Sequence, residues 1–239
     1  MSETTNLRGR RILVTGGSAG IGKATARLLV GKGAKVAITG RDEAKVQRVA
    51  GELKCLGLAL DMADHDALAP GLEKIAEALG GLDGLINNAG IGTFGPLEQV
   101  RKEDFEQVFG VNVFGLALLT QAALPWLKEN GGDIVNVAST AGTKGFAGGT
   151  VYAASKFALR AMTQCWQAEL RPHDIRVIGI NPSEVTTAFG SGDREERDEH
   201  PRKLRSEEIA HAIVAALEMA PRGFIPELSV WATNPNGPV

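Results

Sequence analysis

The feature that most constrains the fold is an alternation. Short runs of consecutive apolar, β-branched residues recur along the chain, and longer stretches of helical period separate them. The strand candidates are Arg11–Thr15, Lys35–Thr39, Leu56–Leu60, Leu82–Asn87, Asp133–Ala138, Arg176–Ile180 and Phe224–Trp231. Helices are predicted at 21–32, 42–53, 64–80, 101–129, 151–171 and 206–220. ILVT, VAIT, LIN, IVNVA and RVIGI are apolar at successive positions instead of every second one. Such strands are buried on both faces, as in a parallel sheet covered by helices. Strict βα alternation implies right-handed crossovers. The expected fold is α/β: one domain over 1–239, a doubly wound parallel sheet of about seven strands with helices on both faces.

A chain of 239 residues, 44% hydrophobic and 23% charged, can bury a real core, and these fractions argue against intrinsic disorder. A net charge of −2 lacks the basic excess that phosphate neutralisation needs, so no nucleic-acid partner is expected. Cys55 and Cys165 are too few for a disulfide framework or a metal cluster. Both read as buried packing residues, and no metal is expected. MSETTNLRGRR has no apolar signal-peptide core, and the most apolar stretch, Val108 to Leu127, is broken by Asn112, Thr120, Gln121 and Pro125. A soluble cytoplasmic protein with no membrane partner is expected. Gly190–Arg205 is dense in charge, which reads as a solvated loop or, taken over 188–205, as a mobile lid above a site.

Glycine supplies 30 of the residues, about 13% against roughly 7% on average. Its densest cluster follows the first strand: Thr15-Gly16-Gly17-Ser18-Ala19-Gly20-Ile21-Gly22-Lys23. Glycines where a strand turns into a helix let the backbone approach a phosphate, and the helix N-terminus offers free N–H groups. Three templates fit. Gly16-x-Ser18-x-Gly20 matches a nucleophile elbow with Ser18 as a hydrolase nucleophile, although every other strand would then follow it. Gly17 to Lys23 matches G-x-x-x-x-G-K, but Ala24 stands where a P-loop needs a hydroxyl for Mg²⁺. The third is dinucleotide binding, in the form T-G-x-x-x-G-x-G.

That form continues with Asn87-Asn88-Ala89-Gly90 after the fourth strand, Asn112 in the next helix, and Ser139 after the fifth strand. Tyr152-x-x-x-Lys156 and Asn181-Pro182 complete the series. Over positions 15–187 the chain resembles the short-chain dehydrogenase/reductase family, and within it the 3-oxoacyl-[acyl-carrier-protein] reductases. The resemblance implies a Rossmann fold, a nicotinamide dinucleotide, a small carbonyl or alcohol substrate, and a homodimer or homotetramer. The cofactor contacts it implies are Gly16, Ser18, Ala19, Gly20, Ile21 and Gly22 in the glycine turn, with Asp61 and Met62 at the adenine. Asn88, Ala89 and Gly90 would line the ribose side, and Pro182, Val185 and Thr187 the carboxamide and pyrophosphate. Tyr152 and Lys156 would meet the nicotinamide ribose. In Thr39-Gly40-Arg41-Asp42, Gly40 stands where NAD-dependent relatives carry an acid, and Arg41 where many NADP-dependent ones carry a base. A planar guanidinium suits phosphate, so NADP(H) is favoured over NAD(H).

Tyr152, the single tyrosine, and Lys156 lie four apart among helix formers, which puts them on one helix face. A tyrosine works as acid or base near neutrality when its pKa falls from about 10 by roughly three units, about 4 kcal/mol. A cation at about 4 Å contributes on the order of 4 kcal/mol at an effective dielectric near 20, and an oxidised nicotinamide adds a second charge. Lys156 is therefore expected to supply the shift. Ser139 falls at the carboxyl edge of the sheet, where open α/β folds hold ligands. In the expected reduction Tyr152 protonates the carbonyl oxygen and Ser139 donates a hydrogen bond to it. By resemblance Asn112 holds a water that relays protons to Lys156. The expected function is an NADP(H)-dependent oxidoreductase reducing a 3-oxoacyl thioester or small ketone to a secondary alcohol. Oxidation of a secondary alcohol, or a non-catalytic dinucleotide sensor, are the alternatives.

Two departures from the family pattern are visible. Ser183 replaces the glycine of N-P-G-x-V-x-T, which predicts discomfort if that position needs positive φ. FIPELSVWATNPNGPV replaces a Gly-rich C-terminal tail. Ala153, Ala154, Ala158 and Ala161, with the apolar 105–127 helix, would allow close packing between subunits.

Overall fold

The computed structural model describes residues 5–129, 131–187, 189 and 200–235. Its strands are β1 (Arg11–Val14), β2 (Lys35–Gly40), β3 (Leu56–Ala59), β4 (Gly84–Asn87), β5 (Gly132–Val137), β6 (Ile175–Pro182) and β7 (Glu227–Val230). All neighbours pair in parallel, in the order β3-β2-β1-β4-β5-β6-β7. The winding reverses between β1 and β4, so a crevice opens at their carboxyl ends.

Among the described residues seven α-helices cover the sheet: α1 (Gly20–Gly31), α2 (Glu43–Leu53), α3 (His65–Leu79), α4 (Lys102–Phe109), α5 (Leu116–Lys128), α6 (Thr150–Leu170) and α7 (Ser206–Leu217). Successive β1 residues point to opposite layers. Ile12 and Val14 pack with Leu29, Val46 and Ile213, while Leu13 packs with Leu72, Leu119 and Val177. Both layers are apolar, which is why the strands lack alternation.

The helix predicted over 101–129 runs without a break from Lys102 to Lys128, but Gly110–Gly115 within it is π-helical. There Gly115 passes the Met62 carbonyl so closely that a Cβ would stand 2.0 Å from the oxygen. By length and composition this helix is apolar enough to cross a membrane despite its polar interruptions. Half of its most apolar window is nevertheless buried in the fold, and Asn112 and Thr120 are hydrogen-bonded inside it. It is a core helix.

Three local expectations change. Cys55 is half-buried, and burial pushes its thiol up to about 11, but Cys165 is exposed on the outer face of α6. Ser183 is not among the described non-glycine residues with positive φ, which are Lys54 and Asp174. Its Oγ accepts from Ala232 N at 3.1 Å and its N–H donates to Val230 O at 2.9 Å, so the serine fastens the chain after β7. Of the candidate lid over 188–205, residues 188 and 190–199 lie outside the described residues; Leu204 bridges to Val185 and Lys203 pairs with Glu184.

Candidate active site

Gly16, at φ +63°, turns the chain out of β1, and a Cβ on Gly22 would stand 2.3 Å from the Gly16 carbonyl oxygen. Only glycine at 22 lets the turn close this tightly. The turn is also tied to the one after β4. Thr15 Oγ1 accepts from the N–H groups of Asn88 and Ala89, both at 3.0 Å. Asn88 Nδ2 donates to the carbonyls of Thr15 at 2.9 Å and Gly16 at 3.2 Å. The Asn88 amide is thus spent on bracing the glycine turn, and Thr15 is a brace that motif reading passed over.

Helix α1 starts at Gly20 after Ala19 with no side-chain cap and no acidic residue in its first turn, unlike α2, α3, α4 and α7. Its first N–H groups and positive dipole end therefore stay available to an anion such as a pyrophosphate. Ile21 is half-buried against the core. Thr187 reaches the same turn, its Cγ2 lying 3.3 Å from where a Gly20 Cβ would be. Val185 packs beneath, and Pro182 closes β6 opposite Val230. The residues present fit a dinucleotide's phosphates.

At the end of β2, a Cβ on Gly40 would stand 3.0 Å from both Ser18 Oγ and Val46 Cγ2. Arg41 is exposed and makes no ion pair among the described residues. Asp61 Oδ1 accepts from Ala63 N at 3.0 Å, a local turn contact that occupies one of its two oxygens, and Met62 is buried.

Ser139 leaves β5, and its Oγ accepts from Ala141 N at 3.1 Å. Hydrogen bonding from the Ser139 side chain favours the ionised form of the Tyr152 phenol. Lys156 is buried one turn further along α6, its Nζ donating to Val137 O at 3.1 Å and lying 5.7 Å from the Tyr152 ring centre. Burial pushes the Lys156 ammonium down to about 8. It also holds the Tyr152 phenol above its ordinary value, and the bond to Ser139 opposes this only in part. Lys156 does not by itself bring the phenol towards neutrality, contrary to the sequence-based expectation, because desolvation dominates both groups.

Asn112 falls in the π-helical stretch, where such widened turns often serve a site. Its Oδ1 accepts from Ile91 N at 2.9 Å, while Nδ2 donates to Ile91 O at 2.8 Å and to Ser155 Oγ at 3.0 Å. Ser155 Oγ in turn donates to the Tyr152 carbonyl at 2.7 Å. The Asn112 amide therefore braces the chain after Gly90, and one Oδ1 lone pair remains for a relay water. A Cβ on Gly90 would lie 3.3 Å from that oxygen and 3.7 Å from Lys156 Nζ. Ser155 was not singled out from sequence, although its place beside Lys156 was a signal.

A reversed crossover, a glycine turn free to hold phosphate, and a Ser139–Tyr152–Lys156 set at the carboxyl edge, its lysine buried, define a nicotinamide-dependent oxidoreductase. The profile of the family described as short chain dehydrogenase matches residues 10–198, and the chain belongs to that family. It is 33% identical to the NADP-dependent 3-hydroxy acid dehydrogenase of Schizosaccharomyces pombe, over 98% of this chain and 96% of that one. Among solved structures it resembles an alcohol dehydrogenase from Thermococcus sibiricus complexed with 5-hydroxy-NADP, at 28% identity, with TM-score 0.88 over 96% of this chain and 99% of that one. It also resembles the 3-ketoacyl-(acyl-carrier-protein) reductase of Brucella melitensis complexed with NADH, at 32% identity, with TM-score 0.86 over 96% and 99% of the two chains.

Proposed function

We propose that the protein reduces a carbonyl to a secondary alcohol with NADPH. The observation that carries this reading is the buried Lys156, its Nζ 5.7 Å from the Tyr152 ring centre, with Ser139 acting on the same phenol. When bound, reduced nicotinamide supplies a hydride, two electrons, to the carbonyl carbon. Tyr152 delivers its hydroxyl proton to the carbonyl oxygen, and Ser139 donates a hydrogen bond to that oxygen as charge develops. Lys156 holds a cation beside the tyrosine and donates to the nicotinamide ribose. Asn112 keeps the segment after Gly90 in place.

Preference for NADP(H) rests on Arg41, an exposed cation without an ion pair among the described residues, next to Gly40, where a side chain is crowded by Ser18 and Val46. The phosphate turn would engage Gly16, Ser18, Ala19, Gly20, Ile21 and Gly22. A 3-oxoacyl thioester and a small ketone are both accommodated by this chemistry, and the reverse oxidation uses the same residues. A panel of ketones and 3-oxoacyl thioesters followed by NADPH absorbance tests the reading, with Tyr152→Phe as the control that must lose turnover.

The outer faces of the π-helical stretch, α5 and α6 expose Phe114, Leu118 and Phe157 at 54%, 40% and 45%. A second copy of this chain seated there would bury them. Light scattering after size exclusion tests this: a dimer or tetramer supports it, and a monomer at micromolar concentration refutes it.

A further inference from the structure

Three phenylalanines from three different loops gather at Tyr152, and the proton and hydride chemistry uses none of them. Phe94 follows β4, Phe146 precedes α6, and Phe189 follows β6. The ring centres of Phe94 and Phe189 each lie 5.3 Å from that of Tyr152, at interplanar angles of 58° and 54°. Phe94 is also 6.5 Å from Phe189 and 6.2 Å from Phe146.

The backbone makes room for these rings. A Cβ on Gly92 would stand 2.9 Å from the Phe94 ring and 3.1 Å from that of Phe189, and one on Gly149 would stand 2.5 Å from Phe146. Gly95 N–H donates to Gly148 O at 2.9 Å, which ties the Phe94 loop to the Phe146 loop. The rings nevertheless stay open to solvent: Phe94 is 47% exposed, Phe146 50% and Phe189 37%. Rings that served only as core would be covered. Apolar surface assembled from separate loops beside a reactive group is the mark of a ligand surface.

We infer that Phe94, Phe146 and Phe189 form a clamp selecting an uncharged ketone whose aromatic ring is bonded directly to the carbonyl carbon, or the matching benzylic alcohol. This rests on the reading of Ser139, Tyr152 and Lys156 as the oxidoreductase centre. Tyr152 is itself a member of the ring cluster, so a carbonyl oxygen at its hydroxyl leaves the adjacent substituent beside Phe94 and Phe189. Tilted rings about 4.5–7 Å apart are the geometry in which a further aromatic ring fits by face and edge. The three rings themselves carry no charge to pair with a carboxylate or a phosphate. In the reduction the carbonyl carbon gains the hydride of NADPH, the oxygen gains the Tyr152 proton, and a 1-aryl alcohol and NADP⁺ leave.

The test compares acetophenone, cyclohexyl methyl ketone, 2-butanone and acetoacetyl-coenzyme A with NADPH. The expected result is a kcat/KM for acetophenone at least about tenfold above that for cyclohexyl methyl ketone, of nearly equal size. Phe94→Ala and Phe189→Ala should erase that ratio and Phe94→Tyr should keep it. Turnover of the panel without an aryl preference overturns the clamp and leaves the oxidoreductase reading standing; no turnover of any member in either direction overturns both. A readout that needs no turnover is saturation-transfer NMR of acetophenone on Tyr152→Phe protein with NADP⁺. Saturation should concentrate on the aryl protons and fall in the added Phe94→Ala variant, and equal transfer to the methyl protons overturns the clamp.

Discussion

Lys156 Nζ lies 5.7 Å from the centre of the Tyr152 ring and 3.1 Å from the Val137 carbonyl oxygen, the lysine buried and the tyrosine partly so. Burial disfavours each charged form, so the lysine titrates low and the tyrosine high. At neutral pH the lysine still holds its proton, and the tyrosine reaches its working range only with a further positive charge beside it. Because the chain has one tyrosine, tyrosinate absorbance reports Tyr152 alone. In cofactor-free protein its midpoint should lie above 10, the ordinary value. Ser139→Ala should raise it further by removing the opposing hydrogen bond, and added NADP⁺ should lower it. A cofactor-free midpoint near neutrality would refute this account.

The same burial has a cost in stability. Lys156 titrates at about 8 in the folded protein against 10.5 unfolded. Below pH 8 both states hold the proton and the penalty is present in full, about 3 kcal/mol for that interval. As pH rises from 8 to 10.5 the folded state binds fewer protons than the unfolded one, and the penalty fades. Lys156→Met should thus stabilise the protein at pH 7 by up to about 3 kcal/mol, lose that advantage towards pH 10.5, and abolish turnover. Denaturant midpoints at both pH values check the sign.

The fold was legible because the inner strands are buried on two faces and the helices on one, and that difference is written in period. The glycine turn and the Tyr152–Lys156 pair were legible because a close backbone approach and a one-turn spacing require particular residues at particular positions. What Asn112 touches was not, since a π-helical turn is set by the crossing of Gly115 over Met62, a contact between distant segments. The ring cluster was hidden for the same reason. Its members share only a neighbouring glycine in sequence, as in Phe94-Gly95, Gly145-Phe146 and Phe189-Gly190.

Cofactor choice can be separated from packing at the end of β2. Arg41 is exposed, so Arg41→Asp should leave stability unchanged within about 0.5 kcal/mol. Loss of a charge-assisted contact to phosphate should weaken NADPH by about 10- to 100-fold, with little effect on NADH. Gly40→Asp differs, because its Cβ meets Ser18 Oγ and Val46 Cγ2 at 3.0 Å. It should lower the melting temperature as well as NADPH affinity. Equal loss of both cofactors in Arg41→Asp would clear Arg41 of a role in recognition.

Stability and chemistry should also separate along the sheet. At the edge opposite the site, Asp133 is 1% exposed and accepts from Arg10 and Arg176, each at 2.6 Å. Arg176 also donates to the Leu217 and Met219 carbonyls, so this cluster fastens the chain after α7 to β6. Removing the shared carboxylate leaves two guanidinium groups partly buried without a counter-charge. Asp133→Ala should therefore cost about 3–5 kcal/mol, roughly 10 °C in melting temperature for a chain of this size. The exposed Arg48–Glu52 pair is a control; Arg48→Ala should cost less than about 1 kcal/mol. At temperatures where Asp133→Ala stays folded its kcat should match the wild type, because none of these groups touches Tyr152, Ser139 or the glycine turn. A loss of kcat without a loss of stability would show that the amino edge of the sheet reaches the site after all.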